Sequence, residues 1–264
     1  MSDLKLHRLN HIFGKDGKVV IFAMDHAAAF GMMEGLEKPG EMISRVADGG
    51  ADAILTTFGI GSKFGKEIGK MGFILRADGG SSKLSKEAAA SSLLYSVGDA
   101  LRLGADAICT MGLPGSKFEA ETMPYLSEAA SESAEWNMPL MAEMLPAGFE
   151  NPGEWWTPEN IGHACRIGAE LGVDFIKTTY SGNPESFKKI MSQLYVPVVV
   201  LGGSKGKDPR DLLVNIYNAI QVGANGVAVG RNIYQDAHPE KVTAAIVAIV
   251  HNGATVDEAA KLLK

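Results

Sequence analysis

A lysine stands near the end of a short stretch of strand-forming residues, and its setting suits nucleophilic chemistry. Residues 173–180 read VDFIKTTY, in which the lysine is Lys177, and β-branched and aromatic residues of this kind favour a β-strand. Burial disfavours a charged ammonium group, and a neutral amine can attack a carbonyl carbon to form a Schiff base. For a lysine considered alone, pairing with a carboxylate or extending to solvent is the commoner role, so the choice depends on its surroundings.

Polar residues follow the other apolar stretches of the chain in the same way. They are Asp25 and His26, Thr56 and Thr57, Arg76 and Asp78, Thr110, Glu143, residues 202–205 and residues 230–232. If the stretches are parallel strands of one barrel, these side chains meet at the mouth formed by the strand ends. Facing a lysine, Asp25 is a candidate for proton transfer and for orienting the amine, although an Asp-His pair is also commonly structural. Glu143 is either a second acid or base, or a buried partner of Lys177 or Arg76.

Two glycine-containing segments near the C-terminus predict a phosphate site. Residues 202–205 read GGSK directly after the run VVVL, so backbone N–H groups can approach an anion closely. Residues 230–232 read GRN, and the arginine can donate two hydrogen bonds to phosphate oxygens. Phosphate sites after strands seven and eight are frequent in barrels of this type, which favours this interpretation over glycines that only pack helices. The predicted substrate- and phosphate-binding residues are His26, Arg76, Gly202, Gly203, Ser204, Lys205, Gly230 and Arg231.

The elements that position these residues alternate between apolar strands and helices. Strands are predicted at residues 19–24, 53–57, 72–76, 106–110, 139–144, 173–180, 196–201 and 226–229. Helices are predicted at residues 4–13, 41–48, 88–103, 119–136, 158–171, 184–193, 209–222, 239–250 and 256–263. Alternation implies a parallel sheet, and eight strands in 264 residues fit a closed (β/α)₈ TIM barrel better than an open sheet. We therefore predict a single α/β barrel domain over residues 1–264, with a short helix before the first strand.

Composition limits the partners of the protein. A formal net charge of −6 and a pI near 5.6 argue against nucleic acid or an anionic membrane as partner. The N-terminal residues lack the apolar core of a signal peptide, and no apolar run approaches the roughly 20 residues that span a bilayer. The two cysteines, Cys109 and Cys165, belong to no CxxC or Cys/His array. We expect a cytoplasmic protein with reduced thiols, no metal and no cofactor, and a phosphorylated small molecule as substrate.

Several segments, taken together, resemble one enzyme family. The matching segments are Met24-Asp25-His26, Leu75-Arg76, Ile176-Lys177-Thr178, residues 202–205, residues 226–235 and His238-Pro239. They resemble the archaeal-type class I fructose-bisphosphate aldolases, or DhnA family, which includes the related thiolase that degrades phosphorylated autoinducer-2. The resemblance extends over essentially the whole chain, and residues 196–264 are particularly similar to the thiolase branch.

This resemblance implies a (β/α)₈ barrel in which Lys177 forms a Schiff base with a ketone substrate. The protonated imine is an electron sink, so that C–C cleavage leaves an enamine, which is then protonated. The resemblance further implies that Asp25 assists proton transfer and imine formation, without any metal or cofactor. It implies a homo-oligomer, a decamer of two stacked rings of five. The residues that it implies for phosphate binding are Gly203, Ser204, Gly230 and Arg231.

The chain departs from the family pattern at two places. The family has Asp-His-Gly after the first strand, whereas this chain has Ala27 in the third position. The family aldolases carry a tyrosine before a proline on the fifth strand as proton donor, and Leu145 occupies that place here. Leucine transfers no protons. Either Glu143 or Tyr180 replaces the tyrosine, or the substrate and the reaction differ from fructose-bisphosphate cleavage.

Three functions are therefore compared. The first is a class I aldolase that reversibly cleaves a phosphorylated ketose or a related keto compound, with Lys177, Asp25, Glu143 and Tyr180 as catalytic residues. The second is the thiolase-type transfer of an acetyl unit from a phosphorylated dione to coenzyme A. The third is a barrel that isomerises or binds a sugar phosphate without covalent catalysis, in which Lys177 is only a charge partner. The first is the prediction that the residues and the resemblance favour.

Overall fold

Eight parallel strands close into a barrel in the computed structural model of this chain. The structure describes residues 3–80, 82–84, 92–149, 152–206 and 208–264. The strands, β1 to β8, are Val19–Met24, Ala53–Thr56, Gly72–Arg76, Ala107–Gly112, Leu140–Met144, Phe175–Thr178, Val198–Leu201 and Gly226–Val229. Each strand pairs with the strand before and after it, and β8 pairs with β1 to complete the ring. The predicted (β/α)₈ fold is confirmed.

Helices connect successive strands and surround the barrel. They are α1 Asp3–Ile12, α2 Ala27–Phe30, α3 Pro39–Asp48, α4 Phe58–Lys63, α5 Gly65–Ile68, α6 Val97–Leu103, α7 Glu119–Glu135, α8 Pro152–Trp155, α9 Pro158–Glu170, α10 Pro184–Met191, α11 Pro209–Gln221, α12 Arg231–Tyr234, α13 Pro239–Val250 and α14 Val256–Ala260, with a 3₁₀ turn at Lys261–Leu263. Several begin as the sequence predicts, with a capping side chain followed by proline. Thr157 caps α9 and Asp208 caps α11 by accepting hydrogen bonds from backbone N–H groups of the first turn.

The apolar side chains form two layers, one inside the barrel and one between the barrel and its helices. Because side chains alternate across a strand, every second residue of each strand points inward. Ile21, Leu55, Ile74 and Phe175 belong to the inner layer and are fully buried. The alternate positions belong to the larger outer layer, which the helices cover. Both faces of the strands are thus buried, which explains why the strands appear in the sequence as continuous apolar runs.

A repeated three-residue motif, Gly-Ala-Asp or a close variant of it, joins the strands in pairs at the end opposite the mouth; the four copies are residues 50–52, 104–106, 172–174 and 223–225. The Asp or Asn of each copy precedes one strand and accepts a hydrogen bond from the backbone N–H of the neighbouring strand. The four bonds are Val20 N–H to Asp52 at 2.7 Å, Phe73 N–H to Asp106 at 2.9 Å, Leu140 N–H to Asp174 at 2.8 Å and Val198 N–H to Asn225 at 3.1 Å. The side chains of three aspartates and one asparagine thus join β1 to β2, β3 to β4, β5 to β6 and β7 to β8.

The N-terminal helix α1 closes this same end of the barrel. Leu9 and Ile12 join the inner apolar layer, and the Phe13 ring packs edge-on against Phe175 at 5.3 Å between centroids. Lys5 Nζ lies 2.8 Å from the Asp174 carboxylate. Apolar side chains therefore plug this end of the barrel, and the polar residues that follow the strands lie at the opposite end.

One predicted helix begins later than expected. The sequence predicts a helix over residues 88–103, but α6 begins at Val97 because Ser96 and Asp99 form a capping box. Before it, residues Ser92–Leu93 pair with Asp78–Gly79 in a short antiparallel ladder that was not predicted. Residues 85–91, which include the beginning of the predicted helix, lie outside the described residues. The ladder stands beside the mouth of the barrel, directly after β3.

Within the described ranges, no helix is long and apolar enough to cross a membrane. The same residues contain no group of three or more His, Cys, Asp or Glu side chains that could hold a metal ion.

Candidate active site

Charged side chains form the layer of the barrel immediately above its inner apolar core. Arg76 follows the inward-facing Ile74 by two positions, Glu143 follows Met141, and Lys177 follows Phe175. The two-residue period of a strand therefore points all three charged groups into the barrel near the mouth. Their side chains are 8%, 5% and 6% exposed, so these charges must neutralise one another.

Lys177 and Glu143 form the central pair of this layer. They are register partners on the adjacent strands β6 and β5, and Lys177 Nζ lies 2.9 Å from Glu143 Oε1. The carboxylate is thus placed to take a proton from the lysine or to return one. Its presence also offsets the cost of burying the ammonium form.

Arg76 joins three carboxylates from three parts of the chain. Its Nε donates a hydrogen bond to Asp25 at 2.8 Å, its Nη1 donates to Asp78 at 3.3 Å, and its Nη2 donates to Glu143. The predicted phosphate-binding role of Arg76 stays a prediction, and this geometry favours a different role. A guanidinium already surrounded by three carboxylates is best suited to holding those carboxylates in place.

The electrostatics of the layer keep two of the carboxylates ionised. Burial alone would favour the neutral acids, but the charges of Arg76 and Lys177 hold the pKa of Asp25 well below its usual range. Burial likewise opposes ionisation of Glu143, and Lys177 and Arg76 together lower the pKa of that carboxyl. Both groups are therefore charged near neutral pH and able to accept protons.

His26 lies beside Asp25 at the rim of the site. Its Nδ1 is buried, 3.7 Å from Asp25 Oδ1, and has no hydrogen-bond partner among the described residues. Burial lowers the pKa of the imidazole, so the ring is neutral near pH 7. The Tyr234 ring packs edge-on against it at 5.7 Å between centroids. A neutral imidazole with a free ring nitrogen can bind a substrate hydroxyl or carbonyl group.

The two predicted phosphate loops lie side by side and are fastened by Asn232. Its Nδ2 donates to the Gly202 carbonyl at 2.9 Å and to the Ser204 carbonyl at 3.2 Å, while its Oδ1 accepts from Gly206 N–H at 3.2 Å. The sequence placed Asn232 at the mouth without giving it a role. Its residue type could have indicated this role. An amide side chain has both donor and acceptor groups, so it can hydrogen-bond the carbonyls and the N–H group of a neighbouring loop.

Close backbone packing explains the glycines of these loops. A Cβ on Gly230 would overlap the Ala23 carbonyl and lie 2.6 Å from the His26 ring. Gly203 has φ +67°, a conformation that favours glycine. Gly202 N–H donates to the Ala228 carbonyl at 3.2 Å. The loops after β7 and β8 are thus brought together at one side of the mouth, next to His26.

The remaining predicted phosphate ligands differ in their surroundings. Arg231 begins α12, and its Nε is buried without a hydrogen-bond partner among the described residues, so it retains a donor for a substrate. Ser204 and Lys205 are exposed, and Lys205 Nζ donates to the Gln235 carbonyl. The structure places all of these residues around the two loops, and their binding role stays a prediction.

Two positions bear on the missing tyrosine of the fifth strand. Leu145 is fully buried directly after β5, so an apolar side chain occupies that place. Tyr180 packs its ring edge-on against Phe187 of α10 at 5.2 Å, which directs it toward the outer apolar layer. Its hydroxyl is buried without a hydrogen-bond partner among the described residues. The Tyr180 hydroxyl therefore forms no hydrogen bond with Lys177, whereas the Glu143 carboxylate lies 2.9 Å from the lysine, so the geometry favours Glu143 as the proton-transfer group.

A closed eight-stranded barrel with a buried lysine paired to an acid at its mouth has the arrangement of a Schiff-base aldolase. Comparison with known proteins gives the family. Residues 19–236 match the model of the DeoC/LacD family of aldolases, and the chain belongs to that family. The chain is 35% identical to the 2-amino-3,7-dideoxy-D-threo-hept-6-ulosonate synthase of Halobacterium salinarum, over 97% of this chain and 94% of that protein.

Solved structures of similar proteins support the same class. An archaeal fructose 1,6-bisphosphate aldolase has a TM-score of 0.85 and 30% identity, over 95% of this chain and all of that one. A Schiff-base-forming fructose-1,6-bisphosphate aldolase, whose reaction intermediates have been analysed structurally, has a TM-score of 0.84 and 30% identity, over 94% of this chain and all of that one. The protein is therefore an enzyme of the class I, Schiff-base-forming aldolase type, as the resemblance predicted.

Proposed function

We propose that the enzyme reversibly cleaves a phosphorylated ketose, or a related phosphorylated keto compound, through a Schiff base on Lys177. The observation that carries this proposal is the Lys177 amine, buried at the barrel mouth 2.9 Å from the Glu143 carboxylate. Similarity to fructose-bisphosphate aldolases and to a heptulosonate synthase supports a sugar-like keto substrate. The paired loops that hold Gly203 and Gly230 support a phosphate group on it.

The first step forms the imine. Lys177 passes its ammonium proton to Glu143, and the neutral amine attacks the ketone carbon. The carbonyl oxygen takes up the proton from Glu143 while the new C–N nitrogen returns one to the same carboxylate, which gives a neutral carbinolamine. Loss of that oxygen as water leaves a protonated imine, with the nitrogen carrying the positive charge. Glu143, with one oxygen beside the amine, is placed to accept the amine proton during attack and to donate it to the departing hydroxyl group.

The second step breaks the C–C bond. A carboxylate removes the proton of the hydroxyl group on the carbon β to the imine carbon, and the bond between the α and β carbons breaks. The electron pair moves to the imine nitrogen and gives an enamine, while the β carbon leaves as an aldehyde. Asp25 is ionised and held by Arg76 at the same mouth, so Asp25 and Glu143 are the bases available. Protonation of the enamine carbon and addition of water release the second product and the free lysine.

Phosphate binding orients the substrate above the lysine. Arg231 keeps a buried Nε without a hydrogen-bond partner among the described residues, and the next residue, Asn232, holds the loop after β7 against α12. His26 stands between this region and Asp25. We therefore assign the phosphate to the loops after β7 and β8, and the reacting ketone to the side of the mouth that holds Lys177.

We also infer a cytoplasmic, homo-oligomeric enzyme. Both cysteines are buried and free, as is usual in proteins of a reducing compartment. Large apolar side chains that stand exposed on the single chain, among them Phe30, Met32 and Trp136, support contacts between copies.

Borohydride trapping tests the proposal. The protein is incubated with fructose 1,6-bisphosphate, with dihydroxyacetone phosphate and with other phosphorylated ketoses, reduced, digested and examined by mass spectrometry. A reduced adduct on Lys177 is expected with at least one of them, and none is expected in Lys177→Met. If none of the ketones gives an adduct, the proposed Schiff base on Lys177 is wrong.

Two further measurements separate the alternatives. If coenzyme A is required for turnover and its acetyl thioester appears, the reaction is the thiolase-type transfer, for which the tyrosine missing at Leu145 is not needed as a proton donor. If Lys177→Arg keeps most of the activity, the lysine acts only as a charge and the covalent mechanism is wrong. Loss of at least about 10³-fold in both Lys177→Arg and Lys177→Met supports the nucleophile.

A further inference from the structure

A third buried carboxylate lies behind Arg76, away from Lys177. Asp78 is the first residue of the short ladder after β3, and its side chain is 1% exposed. Its Oδ1 accepts a hydrogen bond from Arg76 Nη1 at 3.3 Å. Asp25 and Glu143 contact the opposite side of the same guanidinium, through Nε and Nη2. With Asp78 on one side and two carboxylates on the other, the guanidinium of Arg76 is held against rotation.

The second carboxylate oxygen of Asp78 accepts two hydrogen bonds. Oδ2 accepts a hydrogen bond from the Tyr125 hydroxyl of α7 at 2.9 Å and from the Met111 backbone N–H of β4 at 2.8 Å. Met111 is the register partner of Glu143 on the adjacent strand. The carboxylate thus fixes both the arginine that binds Glu143 and the backbone that lies beside Glu143.

We propose that Asp78 and Tyr125 are positioning residues for the Schiff-base chemistry, which hold Arg76 so that Glu143 presents one oxygen to Lys177. This inference rests on the proposed function of the same site. The hydrogen bonds of both residues go to Arg76, to Met111 and to each other rather than to Lys177, so we assign neither a catalytic role. Both act through Arg76: Tyr125 orients Asp78, Asp78 orients the guanidinium, and the guanidinium fixes Glu143 and Asp25.

The charges around Asp78 agree with this role. The groups that face its carboxylate are the Arg76 guanidinium, the Tyr125 hydroxyl and the Met111 N–H. Burial raises the pKa of Asp78 despite these three donors, whereas the pKa values of Asp25 and Glu143 are lowered. As pH falls, Asp78 is therefore the first of the three carboxylates to take up a proton.

Two substitutions test the proposal. Asp78→Asn keeps the shape of the side chain and removes its charge, and Tyr125→Phe removes one hydroxyl group. With fructose 1,6-bisphosphate as probe we expect kcat to fall about 10- to 100-fold in Asp78→Asn, and less in Tyr125→Phe, because displacing a reacting group by 1 Å costs about 10²-fold. KM should change little. The acid limb of the pH–rate profile should move in Asp78→Asn, while the Lys177 adduct should still form.

A second measurement needs no substrate. The rate at which acetic anhydride acetylates Lys177, followed by peptide mass spectrometry, reports how the amine is held by Glu143. We expect this rate to change several-fold in both variants. An unchanged acetylation rate, together with unchanged kcat and pH profile, would overturn the positioning role. Failure of the wild type to give a borohydride adduct would instead overturn the proposed function, and the acetylation rates would still decide the role of Asp78.

Matched controls separate positioning from loss of folded protein. Asp174→Asn alters another buried aspartate that accepts a backbone N–H and pairs with a lysine, at the plugged end of the barrel. Tyr217→Phe removes a hydroxyl from α11. Both controls should change thermal stability only, with kcat and the pH profile kept. If the controls and the test variants lose activity in proportion to lost stability, Asp78 and Tyr125 are structural residues and the proposal is wrong.

Discussion

One oxygen of Glu143 lies 2.9 Å from the Nζ atom of Lys177, and the two residues are register partners on neighbouring strands. The other carboxylate oxygen accepts a hydrogen bond from Arg76. This side chain therefore has two tasks, to neutralise two buried cations and to exchange protons with the lysine. Removing its charge while keeping its shape separates the two tasks.

We expect Glu143→Gln to lower kcat by about 10²- to 10⁴-fold, the usual contribution of a general acid or base. The amide can still accept a hydrogen bond from Lys177, but it cannot take up the proton that the amine releases during imine formation. Steady-state kinetics and the rate of borohydride trapping measure the effect. Glu170→Gln, at an exposed residue paired with Arg166, is the control and should leave both rates unchanged. A Glu143→Gln enzyme with normal kcat would assign proton transfer to another group.

The barrel could be predicted from the sequence because strands buried on both faces are continuous apolar runs, and because the polar residue after each run marks its mouth end. Lys177 and Glu143 became candidates in this way. Proline after a capping side chain also located the starts of α9 and α11. These patterns involve residues that are close in sequence, so they can be recognised before the fold is known.

The roles of Arg76, Asp78 and Asn232 could not be predicted for the opposite reason. Each depends on partners more than 25 residues away, such as Asp25 for Arg76, Tyr125 for Asp78 and Gly202 for Asn232. Asp78 is close to Arg76 in the sequence and Glu143 was one of its candidate partners, but no local pattern shows that Asp25, Asp78 and Glu143 all surround the same guanidinium. Tyr180 was a reasonable candidate by its distance along the chain from Lys177, but the chain leaves the strand after Thr178 and its ring packs outward on Phe187.

Asn232→Ala should weaken binding of the phosphorylated substrate. The substitution leaves the Gly202 and Ser204 carbonyls and the Gly206 N–H without their partner, so the loop after β7 loses its attachment to α12. We expect KM for a phosphorylated ketose to rise about tenfold, equivalent to about 1.4 kcal/mol of binding, with a smaller change in kcat. Asn252→Ala, at an exposed asparagine after α13, is the matched control. An unchanged KM would show that the loop is held by other contacts.

Gly230→Ala should damage both stability and activity, because the position lies in close backbone packing. The added methyl group would overlap the Ala23 carbonyl and press on the His26 ring, so β1 and the loop after β8 must separate. Overpacking of this kind costs about 1–3 kcal/mol, to be measured by urea unfolding. Gly59→Ala, where no atom lies within 4 Å of the new methyl group, should be stabilising or neutral, because alanine favours the helix α4. Equal stability of the two variants would contradict the close packing.

His251 should make stability depend on pH at the plugged end of the barrel. Its Nδ1 lies 2.9 Å from Asp16 and its Nε2 lies 2.9 Å from Asp52. The hydrogen bond to Asp52 is the largest of the effects that raise the pKa of His251 above its ordinary value of 6.5. A raised pKa stabilises the folded state below pH 6.5, and that contribution is lost as pH rises through the folded pKa.

We compare the wild type with His251→Gln by the difference between their unfolding free energies. This difference should be about 1 kcal/mol larger at pH 6 than at pH 9. Burial opposes ionisation of Asp16, but its hydrogen bond with His251 lowers its pKa. Its contribution to stability is therefore lost only at acidic pH, and it does not change between pH 6 and pH 9. Urea unfolding at the two pH values measures the difference. His163→Gln, at an exposed histidine of α9, should show none. A wild-type advantage of the same size at both pH values would mean that His251 binds the two aspartates as a neutral ring. In that case the hydrogen bonds from His251 to Asp16 and Asp52 would stabilise the fold without any contribution from a charged imidazole.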